Sequence, residues 1–275
     1  MLPPLASEHY RDQQRRALAT MLDTRREWLT IGDDFDRGWR RVGPRLALLV
    51  ASAQAGSAES GAEYVAASLL AQGTPVQPEA GIRARALAGI ASDGRSLEQL
   101  LYGAVIHSRT AKVDSLPQRL EVGRMWLDKA VQTQVADAGR DAAKVAMAVR
   151  PSVRWVRMVT PPCCQRCAVL AGDARTYSHE FKRHPGCNCT MIPTTVANPD
   201  FAGQALGPGD ITDLTSKQRD ALAGGANFHS TINDYQRKRA GFSGYLPPTR
   251  VDKVIDRAGQ RDKAMDALAR IGVLI

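Results

Sequence analysis

Apolar residues recur at helical spacing along the first 150 residues, and this spacing predicts a mainly helical N-terminal region. Helices are predicted over residues 5–22, 34–54 and 57–71. Ser57 is the expected N-cap of the third helix, and Gly43-Pro44 is expected to break or kink the second. Residues 74–81 contain two prolines and are predicted to form a linker.

Further helices are predicted before residue 150. Short helices are expected between Ile82 and Ala91. Ser96 and Gln99 form the sequence pattern of a capping box, at the start of a helix that continues through Ile106. The longest periodic segment covers residues 116–149, and Gly139 is a candidate interruption of it.

At Pro151 the pattern changes to short β-branched and aromatic stretches. Strands are predicted over residues 152–160, 175–177 and 190–192, with Pro193 ending the last one. The segment has few apolar residues for a module of its own. We therefore expect a bound metal ion to hold this part of the chain together.

The C-terminal part is predicted to alternate loops and helices. Residues 197–209 are rich in Gly, Pro and Asn, which is typical of a loop. Helices are predicted over 215–223 and 227–239, and a linker begins at Gly241. The last predicted helix, residues 249–271, is amphipathic; it either packs on the body or detaches to dock on a partner.

Composition and charge narrow the class of protein. The 275 residues are 44% hydrophobic and only 5% aromatic, and alanine supplies much of the apolar content, which favours helices. A formal net charge of +9 is compatible with an acidic partner, either nucleic acid or an acidic protein surface. The alternative is a generically basic, arginine-rich chain.

The sequence gives no sign of export or of a membrane. The N-terminal residues lack the apolar core of a signal peptide, and the longest apolar run, from Leu46, is too short to span a bilayer. We therefore expect no membrane partner and synthesis in a reducing cytoplasm. That compartment favours thiolate ligands over disulfides.

All five cysteines of the chain lie between residues 163 and 189. Cys164 and Cys167 form a C-x-x-C pair, and a histidine with two further cysteines returns as H-x-x-C-x-C. The candidate metal ligands are Cys164, Cys167, His184, Cys187 and Cys189. This grouping is typical of a zinc knuckle, in which two short turns present ligands to one tetrahedral ion.

Five candidate ligands compete for four positions around one structural zinc ion. Cys164 and Cys167 are the firm half of the set. His184, Cys187 and Cys189 supply the other half, and the residues alone do not say which of the three is spare. A catalytic zinc would need an open position and a nearby base, and Glu180 is the acid near the second half.

The cysteines allow three interpretations other than metal binding. The first is a set of disulfides, which would need an oxidising compartment. The second is a redox dithiol, but the strand pattern of a thioredoxin-like unit is missing. The third is a cysteine nucleophile, with Cys163 paired to His179 or His184. His179 is otherwise expected to be exposed.

The cysteine region also resembles a known family. The run CCQRCAVLAG, followed by RHPGCNCTMIP, resembles the core of the Mu F-like phage head morphogenesis proteins, which are minor capsid proteins encoded beside the portal. The matching positions are Cys164, Cys167, Leu170, Gly172, His184, Pro185, Cys187, Cys189 and Pro193. The later run from Leu214 resembles a helical segment of actinobacterial-phage members. The similarity covers about residues 153–234.

The residue pattern predicts a mainly helical α+β chain with an N-terminal helical region (1–150), a zinc-stapled α/β module (151–195) and a C-terminal loop with helices (196–275). The resemblance implies the function. The implied function is a minor capsid protein that binds the portal and the capsid interior during head assembly, with no small-molecule substrate. Its implied location is the virion, and the host cytoplasm during assembly.

Two further functions remain open from the sequence. Some relatives are labelled capsid maturation proteases, so a Ser–His pair drawn from His107, Ser108, His229 and Ser230 is a candidate, although no catalytic residue is assigned. The chain shows none of the common nucleotide-binding, zinc-protease or hydrolase motifs. A basic internal virion protein that associates with packaged DNA is the other alternative.

Overall fold

The computed structural model describes residues 2–202, 206–232 and 245–275. Within these ranges the chain is mainly helical with one small sheet, as predicted. The helices are α1 (Pro4–Trp28), α2 (Phe35–Ala71), α3 (Leu97–Leu101), α4 (Gly103–Thr110), α5 (Leu116–Ala148), α6 (Gln165–Ala168), α7 (Ser216–Ala223), α8 (Arg250–Ala258) and α9 (Arg261–Arg270). The strands are β1 (Arg154–Met158), β2 (Ala174–Thr176) and β3 (Thr190–Thr194).

The α2 helix is continuous where two helices were predicted. The helix continues through Pro44, which is exposed. Ser57 is therefore not an N-cap: it lies in mid-helix, with its hydroxyl 2.7 Å from the Val135 carbonyl oxygen. The Ser57 side chain, which the sequence pattern assigned to a helix start, therefore makes a tertiary contact with α5.

The α5 helix also continues through its predicted interruption. Gly139 lies inside the helix and against α2, because an ideal Cβ on Gly61 would come within 2.2 Å of the Gly139 carbonyl oxygen. The two glycines allow α2 and α5 to approach closely. In contrast, the helix expected after Ser96 is divided into α3 and α4 at Tyr102, and only residues 84–87 form a 3-10 helix between Ile82 and Ala91.

The sheet is antiparallel, with β1 between β2 and β3. Trp155 in β1 faces Arg175 on one side and Pro193 on the other. All three strands were predicted, but β1 is shorter than expected and β3 continues through Pro193 to Thr194. Proline is tolerated there because β3 lies at the edge of the sheet.

The C-terminal amphipathic segment is two helices packed on α5, not one. Gly259, with φ of 67°, separates α8 from α9 in the left-handed conformation that favours glycine. Val251, Ile255 and Leu268 are buried in a cluster with Val145 of α5. The interpretation of this segment as a terminal element packed on the body is confirmed.

Two other C-terminal predictions fall partly outside the described ranges. Of the helix predicted over 227–239, residues 228–232 are helical, and the remainder lies outside the described residues. The same holds for residues 241–244 of the linker and residues 203–205 of the loop. The described helices include none that is both long and apolar enough to cross a membrane.

The cysteine-containing segment shares one hydrophobic core with the helical bundle. Val65 and Leu69 of α2 and Met147 of α5 pack in the same buried cluster as Trp155 and Cys167. The cluster places the cysteine turns against the second half of α5. This contact determines which α5 side chains reach them.

Candidate metal centre

The five predicted ligands come together as two overlapping groups of donor atoms. One group contains Cys164, Cys167 and His184, and the other contains Cys167, Cys187 and Cys189. Within each group all donor atoms lie within 4.8 Å of one another, and Cys167 belongs to both. Sulfur and imidazole nitrogen are the donors that zinc takes in structural sites. The chemistry of the set therefore fits a thiophilic metal ion.

The two halves of the site are built by short turns. The first turn precedes and opens α6, where the Cys164 carbonyl accepts hydrogen bonds from the Cys167 and Ala168 amides. The second turn closes with the Cys187 amide donating to the His184 carbonyl at 3.0 Å. Gly186, with φ of 72°, gives this turn its left-handed residue.

His184 presents Nε2 to the first pair of thiols. Nε2 lies 3.1 Å from Cys164 Sγ and 3.3 Å from Cys167 Sγ, while Nδ1 lies 3.0 Å from the Pro185 carbonyl oxygen. A histidine ligand commonly donates its second ring N–H to a backbone carbonyl, which fixes the tautomer. Nε2 is therefore the ring nitrogen that faces the two sulfurs.

The sulfur–sulfur and sulfur–nitrogen separations are close to the edge lengths of a tetrahedral zinc site. With Zn–S of about 2.3 Å and Zn–N of about 2.0 Å, two sulfur ligands lie about 3.8 Å apart, and sulfur and nitrogen about 3.5 Å apart. Cys167 Sγ and Cys187 Sγ are 3.6 Å apart, and the two sulfur–nitrogen separations are 3.1 and 3.3 Å. A small outward shift of the side chains would admit the ion.

The ionisation of the group favours a cation at its centre. Hydrogen bonding from Cys167 and the nearby His184 lower the pKa of Cys164 to about 5, against the opposing effect of burial. Burial lowers the pKa of His184, but Cys164 and Cys187 raise it more, to about 10. Protons on His184 and Cys167 thus offset thiolate charge in this buried place. A divalent ion would replace those protons.

Arg140 of α5 forms hydrogen bonds with the backbone of the second turn. Arg140 Nε donates to the Cys189 carbonyl at 2.9 Å, and its Nη2 donates to the Cys187 carbonyl at 2.5 Å. Thr133 Oγ1, on the same helix, accepts from the Gly186 amide at 2.9 Å. The sequence did not predict these hydrogen bonds, because Thr133 and Arg140 lie on a helix that was expected to make apolar packing contacts.

Arg140 belongs to a buried ion-pair network. Asp137, which is fully buried, accepts from Arg140 Nη1 at 2.9 Å through one oxygen and from Arg183 Nε at 2.7 Å through the other. Arg183 immediately precedes His184 in the chain. The Asp137 carboxylate therefore links α5 to the start of the second turn through Arg183 and to its end through Arg140. The sequence feature that could have indicated this network is a set of polar residues spaced three and four positions apart along α5.

Two other candidate residues, Cys163 and Glu180, belong to neither group of donor atoms. Cys163 is in neither group, and burial raises the pKa of its thiol to about 11, which makes it a poor nucleophile at neutral pH. Glu180 is also in neither group and lines a different cavity, together with the exposed His179. Glu180, the acid considered as the base of a catalytic ion, therefore lies outside both donor groups.

Disulfides and Ser–His pairs do not form among the residues described. All five cysteines are free thiols, and the 3.6 Å between Cys167 and Cys187 sulfurs is far longer than an S–S bond. The Ser108 hydroxyl is buried without a hydrogen-bond partner, while His107 stacks on Trp126. The Ser230 hydroxyl donates to a backbone carbonyl, and no serine–histidine hydrogen bond links either neighbouring pair within the described ranges.

Comparison of the chain with known proteins gave no match among protein-family models, curated proteins or solved structures.

Proposed function

We propose that the chain is a minor head protein of a tailed phage, of the Mu F-like type, and that one structural zinc ion holds its cysteine module together. The observation that supports the proposal is that the five candidate ligands within the family motif come together in two groups that share Cys167. The partners that it implies are the portal and the capsid interior.

A structural role suits the surroundings of the donors. The cysteine-containing segment has one sheet of three short strands, and it shares its apolar core with α2 and α5. Cys167, Cys187 and Cys189 are buried, and backbone hydrogen bonds and Arg140 fix the two turns. A metal ion in such a place would join the two turns.

We assign Cys164, Cys167, His184 and Cys187 as the four ligands, with Cys189 as the spare thiol. Cys187 Sγ lies 3.6 Å from Cys167 Sγ, and Cys167 Sγ also lies 3.3 Å from His184 Nε2. Binding requires the two donor groups to close around one ion. The resulting set of three sulfurs and one nitrogen is a known structural zinc set.

Zinc content and folding of serine variants test the metal part of the proposal. The purified protein should contain one zinc per chain by elemental mass spectrometry, and Cys164→Ser or Cys187→Ser should lose it. Structural zinc contributes about 10 kcal/mol or more in small zinc domains, which is comparable with the whole stability of many proteins. We therefore expect these variants to expose the region beyond Pro151 to limited proteolysis.

Two matched variants make the result specific. Cys163→Ser removes a thiol outside both donor groups, and Cys189→Ser removes the proposed spare, so both should retain zinc. Unchanged thermal melting and proteolysis in Cys164→Ser would contradict a structural zinc. Loss of zinc in Cys189→Ser, with retention in Cys187→Ser, would contradict the ligand assignment alone.

The virion part needs a separate experiment. Mass spectrometry should compare particles assembled with and without this gene. We expect the intact chain at a few copies per particle, and a major shell protein with the same termini in both preparations. A shell protein that is trimmed only when the gene is present would instead support a maturation protease.

A further inference from the structure

A groove lies between α5, the loop before α3 and the second cysteine turn. Its volume is about 410 Å³, and it is separate from the cavity beside the cysteines. Trp126, Leu100 and Ala130 form an apolar floor, and Leu246 and Pro247 form the facing wall. A space of this size accommodates one large side chain with its flanking backbone, and pockets of this kind bind ligands in many proteins.

The floor of the groove is held in place before any partner arrives. An ideal Cβ on Gly103 would come within 2.4 Å of the Trp126 ring, so the indole packs directly on the backbone of α4. On another side, the His107 ring stacks on Trp126 at a centroid separation of 5.5 Å. A fixed aromatic side chain loses little conformational entropy on binding, which is a property of binding hot spots.

The rim of the groove has an unbalanced positive charge. Lys129 is exposed, and its ammonium makes no ion pair or hydrogen bond within the described part of the chain. The other charged residues are already paired: Arg95 with Asp93 at 2.7 Å, and Arg183 with Asp137. The one unpaired charge of the groove is therefore positive and stands directly beside an apolar floor.

We propose that this groove binds an extended segment of a partner protein, in which an aromatic or large aliphatic side chain stands next to an acidic residue. The apolar side chain would lie on Trp126 and Ala130, and the carboxylate would reach Lys129. The volume of about 410 Å³ favours such a segment over a whole helix, and the unpaired positive charge favours an acidic residue beside the apolar one. The proposal goes beyond the metal site and the virion role, and it does not depend on either.

The test uses the full-length protein and two blocked tripeptides, with phenylalanine between two glutamates or between two lysines. The readout is the indole N–H signal of Trp126 in ¹⁵N-correlation NMR spectra, assigned with Trp126→Phe. Trp28 provides an internal control, because its indole N–H is buried and donates to the Leu120 carbonyl at 2.9 Å. We expect the glutamate peptide to shift the Trp126 signal and to leave the Trp28 signal in place.

A charge reversal tests the role of Lys129. Lys129→Glu should weaken binding of the glutamate peptide by about fivefold or more and should give the lysine peptide measurable affinity. Lys112→Glu, at an exposed position outside the groove, is the matched control and should change neither affinity.

Three outcomes would overturn the proposal. One is that neither peptide shifts the Trp126 signal. The second is that both peptides bind equally and Lys129→Glu has no effect. The third is that free 3-phenylpropionate binds at Trp126 while the glutamate peptide does not, because the groove would then be a small-molecule site.

Discussion

Replacement of Asp137 by asparagine should destabilise the fold and loosen the second cysteine turn. Asp137 is fully buried, and its two carboxylate oxygens accept from two different guanidinium groups, those of Arg140 and Arg183. The asparagine side chain has one oxygen and one amide nitrogen in the same positions. At best it can accept from one arginine, and its N–H₂ group would face the donors of the other.

The expected loss is about 3–5 kcal/mol in the free energy of unfolding. This is the range for removing one partner of a buried ion pair, because the remaining charge is left buried and uncompensated. A simple Coulomb estimate agrees: two unit charges 4 Å apart interact by about 4 kcal/mol at an effective dielectric constant of about 20. Because Arg140 and Arg183 are nearly as buried as Asp137, solvent screening is weak here.

Urea unfolding of the purified protein, followed by circular dichroism, measures this loss. The control is Asp23→Asn, the same substitution in the exposed Asp23–Arg26 pair, which should change stability by less than about 1 kcal/mol. A loss below 1 kcal/mol in Asp137→Asn would refute the argument that this carboxylate is essential to the buried network. Loss of zinc affinity in the same variant would show that the network also holds the ligands in position.

Two further predictions follow from other parts of the bundle. Burial lowers the pKa of His9 to about 4, against a smaller opposing effect of Asp12, so the folded state binds fewer protons than the unfolded state between pH 6.5 and 4. Stability should therefore fall by about 3 kcal/mol as pH decreases through that window, and urea unfolding of His9→Gln should lack that part of the loss. Gly61→Ala should cost about 1–3 kcal/mol or more in thermal unfolding, because its Cβ would meet the Gly139 carbonyl oxygen at 2.2 Å. Gly209→Ala, which has open space around it, should be nearly neutral, and equal effects at the two positions would contradict the close packing of α2 on α5.

Local sequence signals predicted the elements better than their ends. Helical spacing identified α1, both halves of α2, and α5, and β-branched stretches identified the three strands. The errors arose where tertiary contacts outweighed local preferences. Pro44 and Ser57 suggested a break and a new start, yet packing of α2 along α5 keeps one helix through both.

The candidate metal centre was predictable as a set of ligands but not as an arrangement. The spacing of the cysteines and His184 identified all five donors, because ligand chemistry is local to two short turns. The separation into two groups that share Cys167 depends on how those turns pack. The supports from Arg140 and Thr133 were missed, since they lie about 50 residues away in the sequence.

The second half of α5 carries polar residues that tertiary contacts bury. Asp137, Arg140, Asp141 and Lys144 follow one another at spacings of three and one, which on an isolated helix would indicate a solvated face. All four are buried, because the bundle covers one side of α5 while the cysteine turns and the C-terminal helices cover the other.

These buried polar groups reach two later parts of the chain, the second cysteine turn and the start of α8. Arg140 holds the Cys187 and Cys189 carbonyls, and Lys144 pairs with Asp252 of α8. Asp141 accepts from the Thr249 hydroxyl at 2.7 Å, and burial together with the neighbouring Asp252 and Asp137 raises its pKa. The polar stripe therefore positions the second cysteine turn and the start of α8 against α5. Directional bonds of this kind fix the register of the attached elements, which apolar packing against an alanine-rich helix would leave weakly specified.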